Sequence, residues 1–98
     1  MSGSAIAIER TDGPSGGVYR LVVDGHEARM TFSRAGERLL VIDHTEVPQT
    51  LRGRGIGDRL VARAVDDARQ AGIKIFPLCP FAAAQFRKHE AYRDVLSR

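Results

Sequence analysis

Apolar and polar positions alternate cleanly over residues 26–32: Ala28, Met30 and Phe32 fall on one side, Glu27, Arg29 and Thr31 on the other. A period of two marks a strand with one buried face. Residues 18–23 read as a strand as well, and Asp24-Gly25 between the two is a two-residue hairpin turn. Ala35-Gly36 makes a second turn, and residues 38–47 form a third strand. Its run Leu39-Leu40-Val41-Ile42 predicts burial on both faces. The expected product is an antiparallel meander.

The period then changes. Ile56, Leu60, Val61, Ala64, Val65 and Ala68 recur at helical spacing, and Gly72 suits the end of that helix. Residues 73–78 form a short fourth strand, which a helical crossover places beside the third and parallel, or nearly so. Pro80 fits the first turn of another helix, running to about His89, and a last short helix holds Tyr92, Val95 and Leu96. Upstream, residues 1–16 read as a loosely ordered segment with a turn-rich stretch at 12–17 and a short strand at 5–8. The predicted organisation is that segment followed by one α/β (α+β) domain over residues 17–98, with a mostly antiparallel sheet flanked by helices. Met30, Phe32 and Phe76 read as core.

Composition narrows the function classes. A chain of 98 residues has room for one core and no second domain. No apolar run approaches the ~20 residues of a membrane span. Met1-Ser2-Gly3-Ser4-Ala5 lacks the basic start of a secretion signal, so the cytoplasm is expected. The single cysteine, Cys79, cannot make an internal disulfide, and with three scattered histidines it offers no metal cluster. The net charge of +3 suits an anionic partner. Acids and bases alternate, however, as in Arg63, Asp66, Asp67 and Arg69, which argues against the basic stripe of a nucleic-acid binder. The exception is Arg52, Arg54 and Arg59, around a glycine-rich segment.

That segment, Arg52-Gly53-Arg54-Gly55-Ile56-Gly57-Asp58, joins a strand to a helix. The first N–H groups of a helix lack intrahelical partners, and the helix dipole adds positive charge there. Glycines let a backbone approach an anion, and arginines add forked donors. A tight turn alone could also explain the glycines, but the flanking arginines and the strand-turn-helix setting favour an anion site. A Walker A loop needs Lys-Ser or Lys-Thr where Asp58 stands, and the glycine spacing misses the dinucleotide-binding pattern.

The motif Arg-x-x-Gly-x-Gly over Arg52, Gly55 and Gly57 resembles the acetyl-CoA loop of the GNAT superfamily of N-acetyltransferases. Glu46-Val47-Pro48 before it, and the helix with Gly72 after it, are similar too. The resemblance extends over roughly residues 17–96. It is closest to a short branch carrying Asp-His-Thr and Cys-Pro-Phe motifs, here Asp43-His44-Thr45 and Cys79-Pro80-Phe81, followed by His89-Glu90-Ala91-Tyr92. The resemblance implies a GNAT-like fold and transfer of an acetyl group from acetyl-CoA to a primary amine. It implies that the backbone of Gly53, Gly55, Ile56, Gly57 and Asp58 holds the pyrophosphate. Arg52, Arg54 and Arg59 would reach the phosphates. Val47 would pair with the pantetheine arm in a V-shaped gap between the third and fourth strands, and the acetyl group would sit near Cys79. The family's Asn-x-x-Ala-x-x-Phe-Tyr run, whose tyrosine often protonates the leaving thiolate, is absent, as are its N-terminal helices.

Three residues are candidates for the chemistry. Cys79, before Pro80, would cap a helix, where a thiolate is favoured. It could carry the acetyl group as a thioester, line the pocket, or be an inert buried cysteine. His44 and Glu46 share a strand face and could take a proton from an ammonium, with Asp43 expected on the opposite face. The competing reading is a CoA-binding module without catalysis. Lys88 or His89 could touch the nucleotide, although His89, Glu90 and Tyr92 read mainly as packing for the C-terminus.

Overall fold

The hairpin turn sets the register of the sheet. Asp24 and Gly25 both take positive φ, 51° and 78°, which matches the twist of the strands they join. Strand β2 (Gly16–Val23) therefore pairs with β3 (His26–Arg34), starting at Val23 opposite His26. The computed structural model describes residues 7–97. Its elements run β1 (Ile8–Asp12), β2, β3, β4 (Leu39–Glu46), α1 (Ile56–Ala71), β5 (Lys74–Pro77) and α2 (Pro80–Lys88), closing with a 3₁₀ turn at Glu90–Val95. The five strands lie in sequence order, antiparallel through β4, with β5 parallel to β4 through the α1 crossover. This is the mixed α/β architecture the periodicity predicts.

Tyr19, Leu21, Ala28, Met30, Phe32, Leu40, Ile42 and Ile75 are buried from one face of the sheet. They meet Leu60, Val61, Ala64, Val65 and Ala68 of α1, and Ala82 and Phe86 of α2. Each large apolar side chain so buried stabilises the fold by about 1.5–3 kcal/mol.

The outer face is less covered than the sequence implies. Leu39 and Val41 are only half-buried, so β4 is not enclosed on both faces. Phe76, read above as core, pairs with Val41 on that outer face and stays 44% exposed. A continuous apolar run cannot say whether one layer or two will cover it. Ile8–Asp12, inside the segment expected to be loose, is an edge strand paired with β2. Of the strand expected at residues 5–8, Ala5 and Ile6 lie outside the described residues.

A polar network holds β1 down. The Tyr19 hydroxyl donates to Asp67 Oδ2 at 2.8 Å, Arg10 donates to the same oxygen at 3.0 Å, and Arg63 donates to Asp67 Oδ1 at 3.1 Å. Burial pushes the Asp67 carboxyl up, but these hydrogen bonds outweigh it and leave it below its ordinary value. A carboxylate whose folded value is depressed stabilises the fold above its unfolded value, and that gain is lost as pH falls through the folded value. Asp67→Asn is therefore expected to cost about 1–3 kcal/mol at neutral pH. The gap from wild type should close as pH drops below the ordinary value of 3.8. Urea midpoints across that range check it; a gap constant with pH would remove the carboxylate from the account.

Beyond Thr31 the register of β3 and β4 shifts: Thr31 faces His44, but Phe32 faces Ile42. The extra residue is Asp43, a β-bulge. The Ser33 hydroxyl donates to Asp43 Oδ2 at 2.5 Å, and Ser33 sits opposite Val41 on the outer face. Asp43 thus shares its face with His44, not the opposite face expected from alternation. Past the bulge, His44 and Glu46 point outward and Thr45, opposite buried Met30, turns toward the core side.

Candidate functional site

The chain leaves β4 at Pro48, makes one 3₁₀ turn at Gln49–Leu51 that buries Leu51, and swings through Arg52 into α1. Gly53 and Gly55 take left-handed φ of 80° and 72°, and a Cβ on either would point into open space. Gly55 is the N-cap of α1 and no side chain caps the helix, so its first N–H groups face outward. Gly57 serves a different purpose. A Cβ there would stand 2.6 Å from the Phe81 ring, so the missing side chain lets the first turns of α1 and α2 touch.

The result is a cavity of about 520 Å³ at the N-terminus of α1. Its walls are Arg52, Gly53, Gly55, Ile56, Gly57 and Asp58 of the turn, with Leu51, Phe81, Thr45 and Val47 around them. Seven of the nine residues proposed for cofactor contact on sequence grounds therefore line one space. Arg54 and Arg59 do not line it, and Arg54 reaches instead to Asp24 at 3.3 Å. Arg52 Nε donates to the Val47 carbonyl at 3.4 Å, across the floor of the turn. Burial, and then the charge of Asp58, push the Tyr92 hydroxyl above its ordinary value. Tyr92 in turn packs on Phe86 and His89, with ring centres 5.5 and 4.8 Å away.

Strands β4 and β5 pair only over residues 39–42 and 74–77. The Cys79 N–H then bonds the Ile42 carbonyl at 3.1 Å, and beyond it β4 keeps β3 as its ladder partner. Thr45 and Val47 stand at the edge of this split. They line the 520 Å³ cavity and also a second one of about 460 Å³, which His44, Glu46 and Glu27 line. His44 Nε2 lies 3.4 Å from Glu46 Oε2, with the side chains 65% and 61% exposed.

Cys79 caps α2: its Sγ accepts from the Ala82 N–H at 3.4 Å and lies 3.4 Å from Thr45 Oγ1. It is 5% exposed and lines neither cavity; Thr45 stands in front of it. Thr45 and Phe81 stand in the two short motifs named above but carried no site role of their own there. Glu27, which lines the second cavity, has no local signal, because the pairing of β3 with β4 brings it to the site. Among the described residues, no group of three or more His, Cys, Asp or Glu could hold a metal ion, and no helix is long and apolar enough to cross a membrane.

Residues 18–95 match the family described as GCN5-related N-acetyl-transferase. The fold is similar to the solution structure of a GCN5-like protein from Staphylococcus aureus, with 29% identity and a TM-score of 0.71, over 91% of this chain and 87% of that one. It is also similar to an IAA acetyltransferase from Bacillus cereus ATCC 14579, with 19% identity and a TM-score of 0.65, over 86% and 75% of the two chains. The second likeness is one of fold alone. No curated protein matches the chain in sequence.

Proposed function

The chain belongs to the GCN5-related N-acetyltransferase family through residues 18–95, and on that premise we propose that it transfers an acetyl group from acetyl-CoA to a primary amine. One observation carries the reading: the cavity at the uncapped N-terminus of α1 meets, at Thr45 and Val47, a second cavity holding His44 and Glu46. Anion site and base thus lie on the two sides of one gap.

In this reading the backbone of Gly53, Gly55, Ile56, Gly57 and Asp58 receives the pyrophosphate, with the helix dipole behind it. Arg52 turns to the phosphates and frees the Val47 carbonyl for the pantetheine arm. Arg54 and Arg59, outside the cavity wall, serve its mouth. The acetyl group reaches the gap beside Thr45. The amine nitrogen attacks the acetyl carbon, the carbon–sulfur bond breaks, and CoA leaves as its thiolate. His44 removes the surplus proton of the amine, with Glu46 orienting its ring. Among the described residues no tyrosine lines either cavity, so the thiolate takes its proton from water.

A second reading is favoured by the Ala82 N–H bond to Cys79 Sγ. There the Cys79 thiolate takes the acetyl group from CoA and yields it to the amine. The burial of Sγ behind Thr45 favours direct transfer. Cys79→Ser, which keeps an N-cap acceptor, is therefore expected to hold kcat within about tenfold of wild type. Intact mass after incubation with acetyl-CoA should show no acetyl adduct. An adduct on wild type that is lost with the serine, together with lost turnover, would establish the thioester route.

Calorimetric titration of acetyl-CoA, followed by turnover on a panel of amines, tests the whole assignment. Binding with turnover is expected. Binding without turnover on any amine would reduce the chain to a CoA-binding module, and absence of binding would overturn the proposal.

A further inference from the structure

We infer that the groove between the end of β5, α2 and the closing 3₁₀ turn docks an acidic segment of a partner protein. An apolar side chain of that segment rests on the floor of the groove, and its carboxylates meet Arg87 and Arg93. The inference is independent of the acetyltransfer reading. The groove has a volume of about 440 Å³ and shares no lining residue with the two cavities described above. Ala83, Phe86 and Arg87 line it from a single face of α2. Buried Phe86 and half-buried Pro77, Ala83 and Leu96 make the floor. Arg87 and Arg93, both exposed, are the charged groups that line it.

Apolar exposure gathers beside this groove. Val22, Phe76, Leu78 and Phe81 are the large apolar side chains left exposed among the described residues. Phe76 and Leu78, at 44% and 57%, stand on either side of Pro77 in the chain. Scattered apolar residues on a surface are ordinary, but a cluster beside a groove marks an interaction site.

The charge at the groove is also uncompensated. Arg10, Arg34, Arg63 and Arg69 are each held by an aspartate. Among the described residues Arg87 and Arg93 have no such partner. Asp94, next to Arg93 in the chain, is held by Arg69 through hydrogen bonds of 2.7 and 2.8 Å, and Glu90 does not line the groove. Two free guanidiniums over an apolar floor suit carboxylates flanking an apolar side chain, because each guanidinium offers paired donors to a carboxylate.

Charge and backbone together decide the occupant. The chain carries a net charge of +3, and a second copy seated here would set Arg87 and Arg93 of both copies against each other. Strand addition is closed as well. Pro77 has no N–H, and on the side of β5 away from β4 the Ile75 carbonyl already accepts from the Ser97 N–H at 2.8 Å. Recognition therefore falls to side chains, and an acidic partner supplies what the groove lacks.

Backbone amide shifts of the isotope-labelled protein test the inference. Four probes are titrated: a short peptide with a leucine between glutamates, the same peptide with serine for leucine, the same with lysines for glutamates, and octanoate as a free apolar carboxylate. Saturable shifts at Leu78, Ala83, Phe86, Arg87, Arg93 and Leu96 are expected with the first. The serine peptide should need at least about tenfold more, since it forfeits the burial of one large apolar side chain. The lysine peptide should shift none of these amides. Arg87→Glu with Arg93→Glu should raise the midpoint of the first peptide at least about tenfold by like-charge repulsion, with unchanged spectral dispersion. Arg87→Gln with Arg93→Gln, which removes the charge without reversing it, should fall between. Absence of saturation, an equal response to the lysine peptide, or a midpoint unmoved in both variants overturns the inference. Octanoate saturating the same amides at a lower concentration than the peptide would make this a small-carboxylate site and overturn the protein partner. Shifts of the same amides on raising the protein concentration alone would make the occupant a second copy, and overturn it too.

Discussion

Gly55→Glu is expected to abolish acetyl-CoA binding and leave the fold standing. Gly55 sits at φ 72°, where a side chain costs roughly 1–2 kcal/mol, but its Cβ would meet nothing within 4 Å. The strain is therefore borne by one residue and does not spread into the core. The carboxylate has a larger effect on binding. It extends from the N-cap over the free N–H groups of α1, where it satisfies the same dipoles the pyrophosphate would use. Two unit charges 4 Å apart near a protein surface repel by about 4 kcal/mol. That alone is about a thousandfold in affinity. Calorimetric titration should give measurable heat for wild type and none for the variant, with matching circular dichroism. Gly55→Ala separates the two terms, since it carries the strain without the charge and should keep most of the affinity. Undiminished binding to Gly55→Glu would place the cofactor elsewhere.

His44→Ala is expected to lower kcat by about a hundredfold or more, the usual contribution of a positioned base. The side chain is 65% exposed and its one ionic contact is Glu46 at 3.4 Å. Its removal should change stability by no more than about 0.5 kcal/mol. His44 does not line the glycine-turn cavity, so the affinity for acetyl-CoA should be unmoved. Added imidazole should restore part of the rate, which a merely structural loss would not permit. Glu46→Gln should have a smaller effect, because in the proposed reaction Glu46 acts through the His44 ring. A variant with full kcat would exclude His44 as the base.

Legibility in the sequence divides by distance along the chain. The Asp24-Gly25 turn, the apolar stripe of α1, the Gly72 stop and the Cys79-Pro80 cap are each set by a few neighbouring residues, and each stands where the pattern puts it. The glycine turn is equally local, since its glycines, its arginines and the helix start are contiguous. The extent of strand β1, expected at residues 5–8 and found at Ile8–Asp12, is not legible for the opposite reason. Its anchor is Arg10, held by Asp67 from the far side of the chain. Phe76 was misplaced because an apolar residue on a short strand looks the same whether or not a second layer covers it.

Around the candidate site the division is sharper. The contiguous residues were enough to name the glycine turn, the pair His44 and Glu46, and Cys79 as a helix cap, because backbone conformation and two-residue spacing act at short range. Only the tertiary structure decided which face each of them occupies. The bulge at Asp43 arises from pairing with β3, and it alone sends His44 outward and Thr45 inward. The split between β4 and β5, the wall formed by Phe81 over Gly57, and the approach of Glu27 to Glu46 all join segments far apart in the chain. Such contacts depend on the packing of whole elements against one core, and no local pattern carries that information.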